Sequence, residues 1–136
     1  MNLPKYPFKQ WFASKNWTPH PHQLALLDRD LLKPHDLLVA PTGGGKTLAS
    51  FLPSLVALTD DPRLGLHTLY ISPLKALAVD IARNLETPVR EMELPIKIDT
   101  RTGDTPGHRR RAQKINPPHI LLTTPESLTL MLSYAD

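Results

Sequence analysis

The segment best equipped for chemistry is a glycine loop with the sequence APTGGGKT, at residues 40–47. It follows a short apolar run, residues 37–40, and precedes an apolar stretch typical of a buried helix. Glycines let successive backbone N–H groups turn toward one anion, and the N-terminus of the following helix adds its dipole. The pattern therefore predicts a phosphate-binding loop between a strand and a helix.

Two residues of this loop have separate expected roles. Lys46 would place a positive charge on the β- and γ-phosphates of ATP and so take part in catalysis, and the Thr47 hydroxyl would bind Mg²⁺. The expected nucleotide-binding residues of the loop are Thr42, Gly43, Gly44, Gly45, Lys46 and Thr47. The common pattern begins with glycine where this chain has Ala40, a position at the end of the strand. The alternative is a glycine-rich turn followed by an incidental lysine, which three adjacent glycines before the lysine disfavour.

Gln23 is a second candidate for nucleotide recognition. A glutamine amide can donate one hydrogen bond and accept another, which matches the exocyclic amine and N7 of adenine. Trp17 or Phe12 could stack on the base. Taken alone, a glutamine near a helix start is usually a surface residue or a cap. Its place upstream of the glycine loop favours recognition of adenine.

Two other polar groups are weaker candidates. The run of Arg109, Arg110 and Arg111 with Lys114 points round more than half of a helix, which indicates a solvated basic face. If some of these residues do contact phosphate, binding will weaken steeply with salt. His20 and His22 have no carboxylate or cysteine cluster beside them, so no metal site is predicted there.

The elements that must position these residues alternate along the chain. Strands are predicted at 37–40, 67–71, 96–100 and 120–123. Helices are predicted at 8–12, at 46–58 with a kink at Pro53, and at 74–85 with an interruption at Pro88. Another helix is predicted to begin at Pro21, to place Leu24, Leu27 and Leu31 on one face, and to end at Pro34. The last two helices are predicted from Thr105-Pro106 to Lys114 and from Thr124-Pro125-Glu126 onward. This alternation predicts βαβ units and an α/β fold with a parallel sheet flanked by helices.

Composition narrows the class of protein. The 136 residues suit about one domain, 40% are hydrophobic, and the formal net charge is +3. No apolar stretch approaches the roughly 18 residues of a spanning helix, and the N-terminus has no secretory h-region. The absence of cysteine excludes disulfides, thiolate metal sites and cysteine nucleophiles. These features predict a soluble cytoplasmic protein with no membrane partner.

Four blocks occur together and in order: APTGGGKTLASFLPSL, LYISPLKALAVDIARNLETPVRE, TRTGDTP and ILLTTPESL. In these blocks the chain resembles the first RecA-like domain of superfamily 2 DEXH-box helicases of the large-helicase-related (Lhr) type, and within it the helicases associated with an ATP-dependent DNA ligase in DNA repair. The resemblance covers nearly the whole chain. It implies a partial RecA-like P-loop NTPase domain, incomplete at the C-terminus. Residues 1–35 would be a helical lead-in carrying the adenine-reading glutamine, and residues 36–136 the N-terminal part of the ATP-binding domain.

The resemblance also assigns roles to residues. Gln23 matches the adenine reader, and residues 42–47 match the ATP and Mg²⁺ site. Three blocks match segments that track single-stranded nucleic acid, DNA more than RNA: Ser72, Pro73 and Lys75; Thr102, Gly103 and Asp104; and Thr124, Pro125, Glu126 and Ser127. A turn at the carboxyl end of a parallel strand presents backbone N–H groups to phosphate, at the edge where α/β sheets place ligands. The alternative is that SPL and TTPE are ordinary N-caps with proline at the first helical position.

The acidic Asp-Glu-x-His block of the family is missing. After Asp104 the only aspartate is Asp136 and the only glutamate is Glu126. Hydrolysis needs such groups because phosphoryl transfer depends on positioning and charge stabilisation. We therefore expect an N-terminal piece of a helicase that is inactive alone. Runs such as residues 37–40 would lack strand neighbours, which predicts marginal stability or aggregation.

The leading hypothesis is an ATP-dependent DNA helicase that couples ATP binding and hydrolysis to translocation on single-stranded DNA, with a DNA ligase as a partner implied by the resemblance. The alternative is a non-catalytic module that binds nucleotide or nucleic acid without turnover. A P-loop kinase for a small molecule is disfavoured, because it leaves the three strand-end turns unexplained.

Overall fold

The computed structural model describes residues 5–28, 35–41, 43 and 45–134. The chain divides into two compact units, Met1–Asp60 and Asp61–Asp136. The helices are α1 (Gln10–Ser14), α2 (Pro21–Leu27), α3 (Lys46–Asp60), α4 (Lys75–Glu91), α5 (Gly107–Ile115) and α6 (Pro125–Ser133). The strands are β1 (Thr68–Ile71), β2 (Ile98–Arg101) and β3 (Ile120–Thr123). No helix in the described ranges is long and apolar enough to cross a membrane.

The first unit begins with an aromatic cluster. Residues 5–9 lead into α1 with an extended backbone at Tyr6 (φ −123°, ψ 139°), and Phe8, Trp11 and Phe12 are buried. The Trp11 ring meets the rings of Phe12 and Trp17 edge-on, at centroid distances of 5.3 and 5.5 Å. The prediction of a short amphipathic helix from the spacing of these aromatics is therefore confirmed.

Helices α2 and α3 pack against each other in the same unit. Helix α2 begins at Pro21 as predicted, whereas Leu31 and Pro34 lie outside the described residues. Helix α3 continues through Pro53 to Asp60. It buries one face through Ala49, Phe51, Leu52, Leu55 and Leu58. Lys46, Thr47 and Ser50 are exposed, so the prediction of a buried helix holds for one face only.

The strand predicted at residues 37–40 is wrong for this structure. Residues 35–41 have no regular secondary structure, and Leu37 and Val39 are 90% and 81% exposed. A buried strand needs a neighbour to satisfy its backbone N–H and C=O groups. None of the strands in the described ranges pairs with this segment. Apolar residues alone therefore did not produce a strand, although the helix expected after the loop is present.

The second unit contains a three-stranded parallel sheet with the order β1-β3-β2. Strand β3 lies in the centre and is buried at all four positions, as a continuous apolar run requires when both faces are covered. Helix α4 joins β1 to β2 and packs against β2 and β3, and α5 joins β2 to β3. The predicted α/β class and the parallel sheet are confirmed, with three of the four predicted strands formed.

Helix α4 is longer than predicted. Pro88 was expected to interrupt it, but the helix runs from Lys75 to Glu91 without a break. Proline has a φ close to that of a helix, and its cost comes from one missing N–H donor and the crowding of its ring. Pro88 is buried, and the burial of its ring offsets part of that cost. The stop predicted at Pro88 was therefore wrong.

Candidate nucleotide and nucleic-acid sites

The glycine loop leads directly into α3, whose first residue is Lys46. Gly43 and Gly45 have φ values of +80° and +72°, a conformation that favours glycine. Thr42 and Gly44 lie outside the described residues. The Ala49 N–H donates to the Gly45 carbonyl at 3.0 Å, which anchors the loop to the first turn of the helix. Lys46 and Thr47 are exposed at this turn, where the sequence predicts phosphate and Mg²⁺.

Gln23 lies against this loop. Its Nε2 donates to the Gly45 carbonyl at 3.3 Å, and its Oε1 accepts from the His20 N–H at 2.8 Å. The residue is only 3% exposed. A primary amide has two N–H donors and two acceptor lone pairs, so these two bonds use half of its capacity. The structure thus brings Gln23 beside the glycine loop, although Gln23 and Gly45 are 22 positions apart in sequence.

The two aromatic candidates for base stacking differ in access. Phe12 is 3% exposed and is packed against Trp11, whereas Trp17 is 53% exposed. Only Trp17 therefore has a free surface for a base. His20 and His22 stack on each other at 5.3 Å, and the described part of the chain contains no group of three or more His, Asp or Glu residues suited to a metal ion.

The three predicted strand-end turns meet at one edge of the sheet. In the parallel register, Thr123 at the end of β3 is paired with Ile71 of β1 and with Arg101 of β2. The Ser72 N–H donates to the Thr123 carbonyl at 2.9 Å, and the Thr123 Oγ1 donates to the Arg101 carbonyl at 2.6 Å. The turn after β3 therefore lies between the turns after β1 and β2.

The ten residues predicted to contact nucleic acid divide by burial. The buried ones are Ser72, Thr102, Thr124 and Ser127. The exposed ones are Pro73, Lys75, Gly103, Asp104, Pro125 and Glu126, which we call the strand-end surface. The buried hydroxyls are used within the turns, since Ser72 Oγ donates to the Leu74 carbonyl at 3.2 Å and Thr102 Oγ1 accepts from the Asp104 N–H at 3.2 Å. The buried hydroxyl residues of these blocks thus hold the shape of the turns, and the exposed residues beside them form the strand-end surface.

The N-cap alternative applies to one of the two proline turns. Thr124 is the N-cap of α6, its side chain accepts from the Ser127 N–H at 3.4 Å, and Pro125 occupies the first helical position. In the turn after β1 the N-cap is Leu74, whose side chain cannot cap, and Lys75 starts α4. The turn after β1 is therefore not explained by capping.

An ion pair joins two of the turns. Lys75 Nζ lies 3.4 Å from Asp104 Oδ1 and 3.5 Å from Oδ2, with side-chain exposures of 55% and 81%. A pair this exposed contributes little to stability. Its importance is geometric, because it brings a cation from the turn after β1 onto the turn after β2.

The solvated basic face predicted for residues 109–114 is wrong at Arg110, which is partly buried, whereas Arg109 remains exposed. Arg109 pairs with Asp99 on β2, and Arg110 donates from one terminal nitrogen to the carbonyls of Thr102 at 3.2 Å and Gly103 at 3.0 Å. Arg111 and Lys114 are exposed. The contact of Arg110 with the turn after β2 could have been predicted from its position in the first turn of α5. The connection between β2 and α5 is short, so a side chain at the start of α5 can fold back onto the turn after β2.

Positive charge accumulates at the end of β2. Burial, and then the positive charge of Arg110, lower the pKa of the Arg101 guanidinium. Arg101 and Arg110 thus place two cations near the end of β2, and Lys75 reaches the same turn through its ion pair with Asp104.

The chain is similar to known helicases in sequence. Residues 20–136 match the DEAD/DEAH box helicase family model. The Lhr helicase/probable uracil glycosylase of Mycolicibacterium smegmatis is 44% identical over 140 residues, which cover 93% of this chain and 9% of that protein. The Lhr helicase/uracil glycosylase of Escherichia coli is 44% identical over 118 residues, which cover 73% of this chain and 8% of that protein. The chain thus spans about a tenth of the length of these relatives.

Solved structures show the same relationship. Mycobacterium smegmatis helicase Lhr bound to ssDNA and AMP-PNP matches with a TM-score of 0.79 at 44% identity, covering 93% of this chain and 18% of that one. The DUF1998 helicase MrfA matches with a TM-score of 0.84 at 28% identity, covering 97% of this chain and 21% of that one. The fold, the order of the blocks and these matches agree, and the chain belongs to the DEAD/DEAH box helicase family.

Proposed function

We propose that this chain is the nucleotide-binding and strand-tracking part of an Lhr-type helicase, which couples ATP hydrolysis to translocation on single-stranded DNA. The observation that carries the proposal is the meeting of three separate turns at the carboxyl edge of one parallel sheet. Open α/β sheets bind their ligands at that edge. A small-molecule kinase would leave this exposed strand-end surface without a role.

The nucleotide half of the proposal rests on the glycine loop. ATP would bind residues 42–47, with Lys46 on the phosphates and Thr47 on Mg²⁺, while Gln23 would read adenine. The positive-φ glycines and the helix start at Lys46 support a phosphate cradle. The AMP-PNP bound to the Mycobacterium smegmatis relative supports ATP as the nucleotide.

The nucleic-acid half rests on the strand-end surface. The phosphates of a single strand would lie along the turns, near the Lys75 ammonium and the exposed backbone at Gly103. The DNA bound to the Lhr relative and to MrfA supports DNA as the track. Phosphate contacts position a strand without reading its bases, so we expect affinity for many sequences and a strong dependence on salt.

The wider role rests on the resemblance to the Lhr type. We propose that the protein acts in DNA repair in the cytoplasm and cooperates with an ATP-dependent DNA ligase. Co-purification of that ligase with the protein, dependent on residues of this chain, would support the partnership. Failure of the two proteins to associate at micromolar concentrations would exclude the ligase as a partner and would leave the helicase proposal unchanged.

The experiment for the nucleotide site compares the chain with its Lys46→Ala variant. We expect AMP-PNP affinity to fall about tenfold or more, because a charge-assisted contact to phosphate contributes about 1.5–3 kcal/mol. Lys114→Ala is the matched control, since Lys114 is exposed on α5 in the other unit. Equal AMP-PNP affinity in the chain and in Lys46→Ala would remove the role of Lys46.

A non-catalytic binding module is the competing function, because the chain contains no Asp-Glu-x-His block. Both functions predict that this chain binds ATP without hydrolysing it. The coding sequence that follows residue 136 distinguishes them. An Asp-Glu-x-His on an apolar strand within about 20–40 codons favours the motor, and a stop codon favours the module.

A further inference from the structure

Arg110 is not among the residues predicted to contact nucleic acid, yet it contacts the turn after β2. We propose that it is a positioning residue of the strand-end surface, whose guanidinium holds the turn after β2 so that the Gly103 N–H faces an incoming phosphate. The proposal rests on the proposed function in one respect, since the phosphate is taken to belong to single-stranded DNA.

The contacts of Arg110 are directed at the backbone of the turn. One terminal nitrogen donates to the Thr102 carbonyl at 3.2 Å and to the Gly103 carbonyl at 3.0 Å. The Arg110 N–H itself donates to the Pro106 carbonyl at 3.1 Å, within the first turn of α5. The side chain is partly buried. The guanidinium therefore ties two successive carbonyls of the turn to a helix that packs on the sheet.

These two bonds fix the direction of the Gly103 amide. A trans peptide is planar, so the N–H of one residue points opposite to the carbonyl of the residue before it. With the Thr102 carbonyl turned toward Arg110, the Gly103 N–H points away from α5. The Thr102 N–H donates to Thr105 Oγ1 at 2.9 Å and the Asp104 N–H to Thr102 Oγ1 at 3.2 Å. Within the described ranges, no group accepts from the Gly103 N–H.

Gly103 lies on the exposed side of the turn, next to the ammonium group of Lys75. Gly103 is exposed, and a Cβ placed on it would lie 3.4 Å from Lys75 Nζ. A free N–H and an ammonium group thus lie together where the strand-end surface would meet phosphate. Backbone N–H groups and lysine ammonium groups are common phosphate donors. Arg110 acts on this pair through the turn, because the one terminal nitrogen that forms hydrogen bonds donates to the two carbonyls.

The test separates positioning from direct contact by salt dependence. Affinity for fluorescein-labelled oligothymidylate is measured from about 50 to about 200 mM salt for the chain, Arg110→Gln and Arg110→Lys. Arg109→Gln is the matched control, because it removes the same charge from the same helix, at a residue that contacts Asp99 and not the turn.

Positioning predicts that Arg110→Gln binds about tenfold more weakly, the cost of losing charged hydrogen bonds, while the slope of log K against log salt is unchanged. It predicts partial recovery in Arg110→Lys and near wild-type affinity in Arg109→Gln. A slope reduced by about 0.7 would show that Arg110 itself contacts a phosphate and would overturn the proposal. Unchanged affinity in Arg110→Gln would overturn it as well.

A second measurement does not depend on DNA binding. In amide NMR spectra, Arg110→Gln should shift the Gly103 resonance and lower its order parameter toward about 0.6. Gln113→Ala controls for general loosening of α5, since Gln113 Nε2 donates to Asp99 Oδ2 and the Thr100 carbonyl, both at 2.9 Å. An unchanged Gly103 resonance in Arg110→Gln would overturn the proposal. Failure of the unmodified chain to bind oligothymidylate would refute the proposed function, and the Gly103 spectrum would still decide the role of Arg110.

Discussion

Lys75 Nζ and Asp104 Oδ1 lie 3.4 Å apart, although the two residues are 29 positions apart in sequence. The pair crosses from the turn after β1 to the turn after β2. Both residues belong to the strand-end surface. The carboxylate of Asp104 is therefore paired with the Lys75 ammonium group that a nucleic-acid phosphate would bind. A phosphate reaching Lys75 must therefore displace Asp104 or bind beside its negative charge.

Removing this negative charge should strengthen DNA binding. We expect Asp104→Asn to raise the affinity for oligothymidylate by up to about fivefold at low salt, because an exposed charge pair contributes up to about 1 kcal/mol and is screened by salt. Fluorescence anisotropy at two salt concentrations measures the effect. Asp61→Asn is the control, since Asp61 is 79% exposed and lies 3.3 Å from Arg63 in a similar pair. Lower affinity in Asp104→Asn than in the chain would mean that Asp104 itself assists binding.

The contact between Gln23 and the glycine loop makes a second prediction. Gly43 and Gly45 both have positive φ, but a Cβ on Gly45 would lie 2.6 Å from Gln23 Nε2, whereas a Cβ on Gly43 meets nothing within 4 Å. Both alanine variants carry the backbone cost of about 1–2 kcal/mol. Gly45→Ala must also displace the Gln23 amide from its bonds to Gly45 and His20. It should therefore melt at a lower temperature than Gly43→Ala.

Differential scanning fluorimetry and AMP-PNP titration check this difference. We expect Gly45→Ala to lose more nucleotide affinity than Gly43→Ala, because only the first displaces Gln23. Gln23→Ala in the Gly45→Ala background should restore part of the melting temperature by removing the collision. Equal melting temperatures for the two glycine variants would show that the Gln23 contact does not hold the loop.

His67 predicts a pH dependence of stability. Burial, and then the charges of Arg63 and His119, lower the pKa of His67 below its ordinary value of 6.5. The unfolded chain therefore binds a proton at His67 at a higher pH than the folded chain does. The contribution of His67 to stability is complete above pH 6.5 and is lost as the pH falls from there through its folded pKa.

Thermal unfolding followed by circular dichroism between about pH 7.5 and pH 5 tests this sign. We expect the melting temperature to fall toward acid, and to fall less in His67→Gln. A melting temperature that rises toward acid would contradict the assignment.

Much of the fold could be predicted because its elements carry their own signals. Strand β3 is a continuous apolar run, and α6 opens with the Thr124-Pro125 cap and first turn. Residues 37–40 carry the same apolar signal and form no strand. The difference lies in hydrogen-bonding neighbours, which β3 has on both sides. Whether a segment has neighbouring strands depends on the tertiary structure, and the pattern of apolar residues within the segment does not show it.

The candidate site was predictable to a similar degree. The parallel order of the strands predicts that the three turns lie at one edge of the sheet. The position of Gln23 upstream of the glycine loop suggested a shared site, and its amide contacts Gly45. The partners of long side chains were not predictable, since helical projection does not say what a side chain meets. Arg110 therefore seemed to belong to a solvated face, and the pairing of Lys75 with Asp104 was not expected.

The most direct test of the account is a map of the DNA-binding surface. Amide NMR spectra of the chain are recorded during titration with unlabelled oligothymidylate, with chemical shift changes followed at every assigned residue. We expect the largest chemical shift changes in the turns at residues 72–75, 102–104 and 124–127, and we expect these changes to vanish at high salt. Changes confined to the exposed face of α5 around Arg111 and Lys114, with the three turns unaffected, would contradict this prediction.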